Sequence, residues 1–346
     1  MNKLLKRQTL YLLIILLILL TFWFLHSNHH DNETTEPSEH LKRDYVLFDD
    51  TRKESPRSDK KIISPRNEIN IYKQTLEAKR LIHIHNVYLK TLRGKTPIFV
   101  YSAKVDNMIS GYVKDYGTWE EDLLNQTGIY LLHQPDTTFI DIGCNIGVYT
   151  LFAAKLGMKV FSIDPVENNL VLLSKSVDAG RFAENVTLVL NAVSDEYKSV
   201  VMNIPKDNIG GAHIVDTVRD IHKDNIGGAH IVDKVKDISK ENVNVAETIL
   251  LDDLIPYIRT ENVFIKMDVE GHEWNVLNGG HQFFQAKDVK VILMEWVHHR
   301  HSENGRLIIE QLIKNGFLPY TDIARNEILE PDVFYTWPEN VFWIKR

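Results

Sequence analysis

A single cysteine, Cys144, stands in a chain of 346 residues. An internal disulfide is thereby excluded, and the fold must rest on an apolar core, which a chain this long can build. Cys144 lies in a glycine turn with no base beside it, so it reads as a small turn residue and not as a nucleophile. Positive charge is also short: 40 Lys and Arg face 47 Asp and Glu, a formal net charge of −7. No basic stripe with interleaved aromatics exists, so nucleic acid is not an expected partner. Tight metal-ligand spacing is missing too. His298, His299 and His301 sit beside Arg300 and Glu303 as a solvated loop would, and no metal is expected.

Long hydrophobic runs are absent apart from one, Leu10 to Leu25. Lys3, Lys6 and Arg7 precede it, and Asp31, Glu33 and Glu36 follow. That asymmetry predicts a cytosolic tail at 1–8, a membrane span at 9–26 and the remainder across the membrane. No small-residue cleavage pattern follows, so the span reads as an uncleaved signal-anchor of a single-pass type II protein. A short, aromatic-ended span suits the thinner membranes of the Golgi or endoplasmic reticulum. Residues 27–66 are polar and charged and read as a flexible lumenal stem. Three glycosylation tripeptides, at Asn32, Asn125 and Asn185, agree with a lumenal glycoprotein, Asn32 best.

The most informative stretch is Phe139-Ile-Asp-Ile-Gly-Cys-Asn-Ile-Gly-Val-Tyr-Thr150. An apolar strand ends at Asp141, a turn follows at Gly143, Asn145 and Gly147, and a helix begins at Val148. Cofactors with a nucleoside dock at this place in an open α/β sheet. The dinucleotide pattern Gly-x-Gly-x-x-Gly is not met. Asp141 before the turn would repel a pyrophosphate and welcome a cation, which favours S-adenosylmethionine over NAD. The next strand, Lys159 to Asp164, ends in a second carboxylate about 20 residues on, suited to ribose hydroxyls.

Two further strands become acidic at their C-terminal ends: Val263-Phe-Ile-Lys-Met-Asp-Val-Glu-Gly271 and Val289 to Glu295. Lys266, Asp268 and Glu270 alternate and so share one side of their strand. Asp164, Asp268 and Glu295 would together rim a cleft.

In these pieces the chain resembles the FkbM-like methyltransferases. The matching segments begin at Asp141, Ile163, Asn191, Ile265 and Leu293, run in family order, and span roughly Pro97 to Arg346. Lys-x-Asp-x-Glu-Gly-x-Glu, from Lys266, is the most specific. The resemblance implies a class I methyltransferase fold, Rossmann-like and doubly wound, with S-adenosylmethionine as donor. It places Asp141, Gly143 and Asn145 by the amino-acid part of the donor, Asp164 on the ribose, and Asn191 and Ala192 near adenine. It also implies a short helix at Tyr116–Glu120 that covers the site, with Glu120 facing the donor. Gly147 completes the turn. Many relatives carry Glu where this chain has Asp164, one methylene shorter.

The remaining sequence predicts one catalytic domain at 136–346, preceded by lead-in helices and a cap at 67–135, the helices falling in Ile69–Leu92. Helix 167–179 and strand 186–190 follow the second strand. Strands at 316–320 and 341–345 form a closing antiparallel edge. Lys206–Asp216 recurs unchanged at Lys223–Asp233, within a tandem duplication over 206–239. Only one copy can occupy a given sheet position, and Asn208-Gly210-Gly211 and Asn225-Gly227-Gly228 are equal candidates for a cleft-lining loop.

Methyl transfer to an alcohol needs a base to take the proton. Asp268 is the first candidate, with Glu270, Glu295, His272 and His298 as alternatives. Location and resemblance together favour an O-methyltransferase acting on glycan hydroxyls. The rival readings are methylation of protein or lipid carboxyl or amine groups, and an inactive anchored binding protein.

Overall fold

The computed structural model describes residues 68–72, 84–205, 211–217 and 243–346. The expected membrane span, the stem and the second copy of the duplication lie outside the described residues. Among the described residues no helix is long and apolar enough to cross a membrane.

A hairpin comes first: β1 (Ile84–Thr91) and β2 (Gly94–Tyr101), antiparallel and in unbroken register. This corrects the expectation of lead-in helices as far as Leu92; residues 73–83 lie outside the described set. The side chains of Val87, Leu89 and Thr91 turn inward while Tyr88 and Lys90 face out, a period of two that selects a strand. Gly94, at φ 84°, makes the turn that a helix could not.

Helix α1 (Ile109–Tyr116) and helix α2 (Glu121–His133) lead into the main sheet. Residues 117–120 link the two helices and are not a short helix of their own. Gly117 takes a left-handed conformation after α1, and Glu120 takes another before α2, so the chain breaks twice in four residues. There follow β3 (Thr138–Ile142), α3 (Val148–Lys155), β4 (Lys159–Ile163), α4 (Glu167–Gly180) and β5 (Val186–Val189). A second sheet is built from β6 (Ala192–Ser194), β7 (Ser199–Asn203), β8 (His213–Thr217) and β9 (Val243–Leu250). The chain then re-enters the main sheet through β10 (Asn262–Met267), α5 (Glu273–Asn278), α6 (Phe283–Ala286), β11 (Asp288–Glu295), α7 (Glu303–Lys314), β12 (Phe317–Tyr320) and β13 (Asn340–Lys345).

The seven-stranded sheet has the order β12-β13-β11-β10-β3-β4-β5. Neighbours from β5 to β11 are parallel, and β13 is antiparallel to both β11 and β12. The antiparallel strand is therefore not the edge, as expected, but the second strand in. The cause is the connection between β12 and β13, 321–339, which is long enough to carry β13 back into the gap beside β11. This is a class I methyltransferase-like α/β fold with a mostly parallel sheet.

Alternation along β3 and β10 supplies the core on both sheet faces. Phe139 and Phe264 face one layer, while Ile140, Ile142, Ile265 and Met267 face the other. Trp296, Trp337 and Trp343 pack ring to ring in the second layer, with centroids 4.8–6.0 Å apart. Each fully buried aromatic of this kind stabilises by about 1.5–3 kcal/mol through area removed from water. The hairpin packs on the first layer, where Ser176 of α4 accepts the Phe99 N–H at 2.9 Å.

The small sheet pairs β6 parallel with β9 and places β7 between β9 and β8. Strand β8 contains His213–Asp216 of the first duplicate copy, so that copy takes a sheet position. Chain order reverses between β3 and β10, and a cleft opens there at the strands' carboxyl ends.

Candidate functional site

The turn after β3 is built from three left-handed residues at alternate positions: Gly143 (φ 80°), Asn145 (φ 50°) and Gly147 (φ 87°). A Cβ on Gly143 would lie 1.8 Å from the Asp268 carbonyl oxygen, so this glycine lets β3 and β10 converge at their tips. A Cβ on Gly147 would meet Leu173 of α4 at 2.2 Å. Asn145 tolerates its conformation because its own Oδ1 accepts the Ile146 N–H at 2.6 Å.

Asp164, just past β4, holds this turn. Its Oδ2 accepts the Asn145 N–H at 2.8 Å, and its Oδ1 accepts the Val166 N–H at 2.8 Å and the Asn169 amide at 3.1 Å. Burial outweighs these bonds and raises its pKa to about 6.

The cleft has two lobes that share Gly143, Asn145, Asp268 and Glu270. The first spans about 570 Å³, open solvent included, between the β4 tip and the small sheet, with Asp164, Asn191, Ala192, Met202 and Ile214 in its walls. The first duplicate copy supplies Ala212 and Ile214 to the wall. Asn191 spends its side chain on structure: its Oδ1 accepts the Asn70 N–H at 2.8 Å and its amide donates to the Glu247 carbonyl at 3.1 Å.

The second lobe encloses about 790 Å³ and is walled by Met108, Trp119, Glu120, Tyr149, Lys266 and Glu295. Lys266 is buried here and donates to Asp268 Oδ2 at 2.8 Å. Burial alone would lower its pKa, but the carboxylates of Asp268, Asp141 and Glu120 overrule that and hold the ammonium protonated. The ammonium also lies over the Tyr149 ring, 5.2 Å from its centroid. Tyr149, which was not foreseen, donates its hydroxyl to Glu120 Oε2 at 2.9 Å, and Asn340 donates to Glu120 Oε1 at 3.2 Å. The link between α1 and α2 is thereby tied to the sheet.

Asp141 stands behind the cleft wall, not on it. It is 1% exposed and lines neither lobe. Thr150 donates to its Oδ2 at 2.6 Å, while its Oδ1 is buried with no hydrogen-bond partner. Burial pushes its carboxyl up, and the Lys266 ammonium on the neighbouring strand opposes that shift.

The acidic strand ends do converge. His298 Nε2 lies 3.0 Å from Glu270 Oε2 and 3.6 Å from Glu295 Oε2. The three could supply one ligand atom each within 4.8 Å of one another. Burial, with Asp268, Glu270 and Glu273 nearby, pushes the Glu295 carboxyl up to about 9, and burial likewise raises Glu270. This crowding favours the protonated form of Glu295. Cys144 is buried, its thiol pKa well above the usual value because of burial and then the charge on Asp164, which disfavours the thiolate a nucleophile needs.

Residues 141–325, just over half of the chain, match the family described as the methyltransferase FkbM domain. The chain belongs to the FkbM methyltransferase family. No match is found among curated proteins. Solved structures of similar fold include a precorrin-6y C5,15-methyltransferase from Geobacter metallireducens, at 13% identity over 66% of this chain and 93% of that one, TM-score 0.30. Others are an rRNA methylase from Streptococcus thermophilus, at 13% identity over 64% and 96%, TM-score 0.33, and a magnesium protoporphyrin IX methyltransferase from Synechocystis with bound SAM, at 11% identity over 65% and 79%, TM-score 0.33.

The family's cofactor, S-adenosylmethionine, fits what is present. Carboxylates of Asp164, Asp268 and Glu270 line the first lobe and suit a cation. In this FkbM domain the sequence-derived residues Gly143, Asn145, Asp164, Asn191, Ala192, Asp268 and Glu270 meet at one lobe, while Glu120 and Glu295 meet at the other.

Proposed function

We propose that this FkbM methyltransferase is an O-methyltransferase that acts on glycan hydroxyls in the secretory lumen. The lumenal setting rests on the charge-flanked apolar run at Leu10–Leu25. The acceptor class rests on one structural observation: carboxylates of the second lobe adjoin an aromatic shelf. Trp119 in the lobe wall meets Tyr112 edge to face, with centroids 5.6 Å apart, and Tyr112 meets Tyr116 at 4.5 Å. Tyr112 and Tyr116 are 43% and 57% exposed. A sugar ring has an apolar C–H face and a rim of hydroxyl donors. The shelf suits the first and the acid rim suits the second.

S-adenosylmethionine supplies an electrophilic methyl group. The residues of the first lobe, with Asp164 toward the ribose, would hold it. The protein's remaining task is to align an acceptor oxygen in the second lobe and take its proton. Asp268 is assigned as the base. It lies in the walls of both lobes, and Lys266 fixes one of its oxygens. A strong base is not required, because the alcohol proton becomes acidic as its oxygen gains a third substituent, the methyl group leaving the sulfonium sulfur, and with it positive charge. Glu295, whose protonated form is favoured, would donate a hydrogen bond to an acceptor oxygen in the second lobe.

The test is incubation of the full chain with methyl-labelled S-adenosylmethionine and a glycan library, read by mass spectrometry. Methyl ethers on sugars are expected, and Asp268→Asn should lower kcat by about 10²–10⁴. Label on amines or carboxyls of protein or lipid would replace this reading. Cofactor binding without transfer to any acceptor would favour an inactive binding protein.

A further inference from the structure

Beneath the acidic rim lies a buried pair that the chemistry above does not use. Glu273 opens α5 and His299 ends the turn after β11; both side chains are 0–1% exposed. Glu273 Oε2 is 2.6 Å from His299 Nε2. Its Oε1 accepts the Val269 N–H at 3.0 Å and the Gly271 N–H at 3.4 Å. His299 also packs on Trp296, with centroids 5.3 Å apart, and its Nδ1 has no partner.

The consecutive residues His298 and His299 therefore grip the same loop from opposite sides. His298 reaches Glu270 in the cleft, and His299 reaches Glu273 below it. The loop between them needs holding, because Glu270 (φ 54°) and Gly271 (φ 93°) are both left-handed. A non-glycine residue keeps such a conformation only where its surroundings impose it. That loop carries Asp268, Val269 and Glu270 into the cleft, and the turn it is tied to follows Glu295.

We propose that Glu273 and His299 are a positioning pair. Glu273 gathers the amides of Val269 and Gly271, His299 ties that carboxylate to the tip of β11, and the pair fixes the acidic ends of β10 against that of β11. Neither residue touches the reacting atoms. The function is geometric, so it needs hydrogen-bond reach and not charge. A glutamine at 273 would still accept both amides through Oε1 and could donate to a neutral His299 Nε2.

The experiment compares Glu273→Gln, Glu273→Asp and Glu273→Ala in the full chain. Each is assayed well below its melting temperature for S-adenosylhomocysteine affinity and, with the acceptor found above, for kcat and KM. Glu273→Gln should stay within about threefold of the parent in both affinity and kcat. Glu273→Asp is shorter by a methylene and cannot reach both partners. It should lose about tenfold in affinity, and Glu273→Ala should lose about 10²-fold in kcat, as an ångström of misplacement does. Gln matching Ala would overturn the proposal, because charge and not reach would then be at work. Unchanged affinity and kcat in folded Asp and Ala variants would leave a purely structural pair and also overturn it. The affinity series needs no acceptor, so it reports on this pair even where the glycan reading fails. Should Glu273→Ala not fold, the Gln and Asp variants decide the matter between them.

Discussion

The proton on Glu295 makes a linkage prediction with a definite sign. Its carboxyl titrates near 4.5 in the unfolded chain and near about 9 in the folded one. Between those values the native state holds a proton that the unfolded state has released, so stability must fall as pH rises through that window. One pKa unit corresponds to about 1.4 kcal/mol. Between pH of about 5.5 and about 8, a single group could thus cost up to roughly 3 kcal/mol. Glu295 keeps partial solvent access, with 22% of its side chain exposed. It also shares its crowding with Glu270 and Asp268, so a cost of about 1–2 kcal/mol is expected. Glu295→Gln keeps the shape and a donor but cannot ionise. The variant should therefore gain on the parent as pH rises: nearly equal at pH of about 5.5, more stable by about 1–2 kcal/mol at about 8. Urea denaturation of both proteins across this range gives the difference directly. The raised carboxyl of Asp164, which is not among the groups that crowd Glu295, tilts both curves alike and cancels. A difference that stays flat with pH, or shrinks as pH rises, would refute the reasoning.

Two further predictions concern the donor lobe. Gly143→Ala places a Cβ 1.8 Å from a backbone oxygen of Asp268 in a left-handed conformation. It should cost at least about 2 kcal/mol and weaken S-adenosylhomocysteine binding by about tenfold or more, as read by thermal melting and calorimetry; parent-like values would mean the β3 and β10 tips do not converge as described. Asp164→Asn keeps one acceptor oxygen but turns an amide group on the N–H donors that faced the other, and should cost about 1–3 kcal/mol and loosen the Asn145 turn. Cofactor affinity within twofold of the parent would show that this carboxylate is not needed to shape the lobe.

The parts of this site that could be read from sequence share one property: each is set by a strand end and the few residues after it. Parallel strands bring their carboxyl ends to one rim, so Asp164, Asp268 and Glu295 had to fall along it once β4, β10 and β11 were recognised, Asp164 at the first lobe, Glu295 at the second and Asp268 at both. The turn at Gly143–Gly147 was legible because only certain residues accept left-handed backbone, and they recur there at every second position. What was not legible depends on which surfaces meet. Alternation along β3 puts Asp141 on the side of Phe139, under α3, where Thr150 takes it; nothing local shows that a helix seals that face. Tyr149 finds Glu120 across 29 residues, and His299 finds Glu273 across 26. In each case the two residues belong to different elements, whose packing no short window encodes.

The same distinction explains the errors of topology. Residues 84–92 carry apolar positions that suit either period, and only pairing with β2 across Gly94 decides for a strand. Strand β13 was recognised as a strand and as antiparallel, but its place was misjudged, because adjacency in a sheet is chosen by edges competing for a partner. Strand β11 offers a free edge to the last strand, and a long connection allows β13 to reach it before β12 can. The Asn340 at the start of β13 then donates to Glu120 at the mouth of the second lobe. The interior position of β13 therefore has a structural consequence: this strand ties down the link that carries Trp119 into the wall of the second lobe.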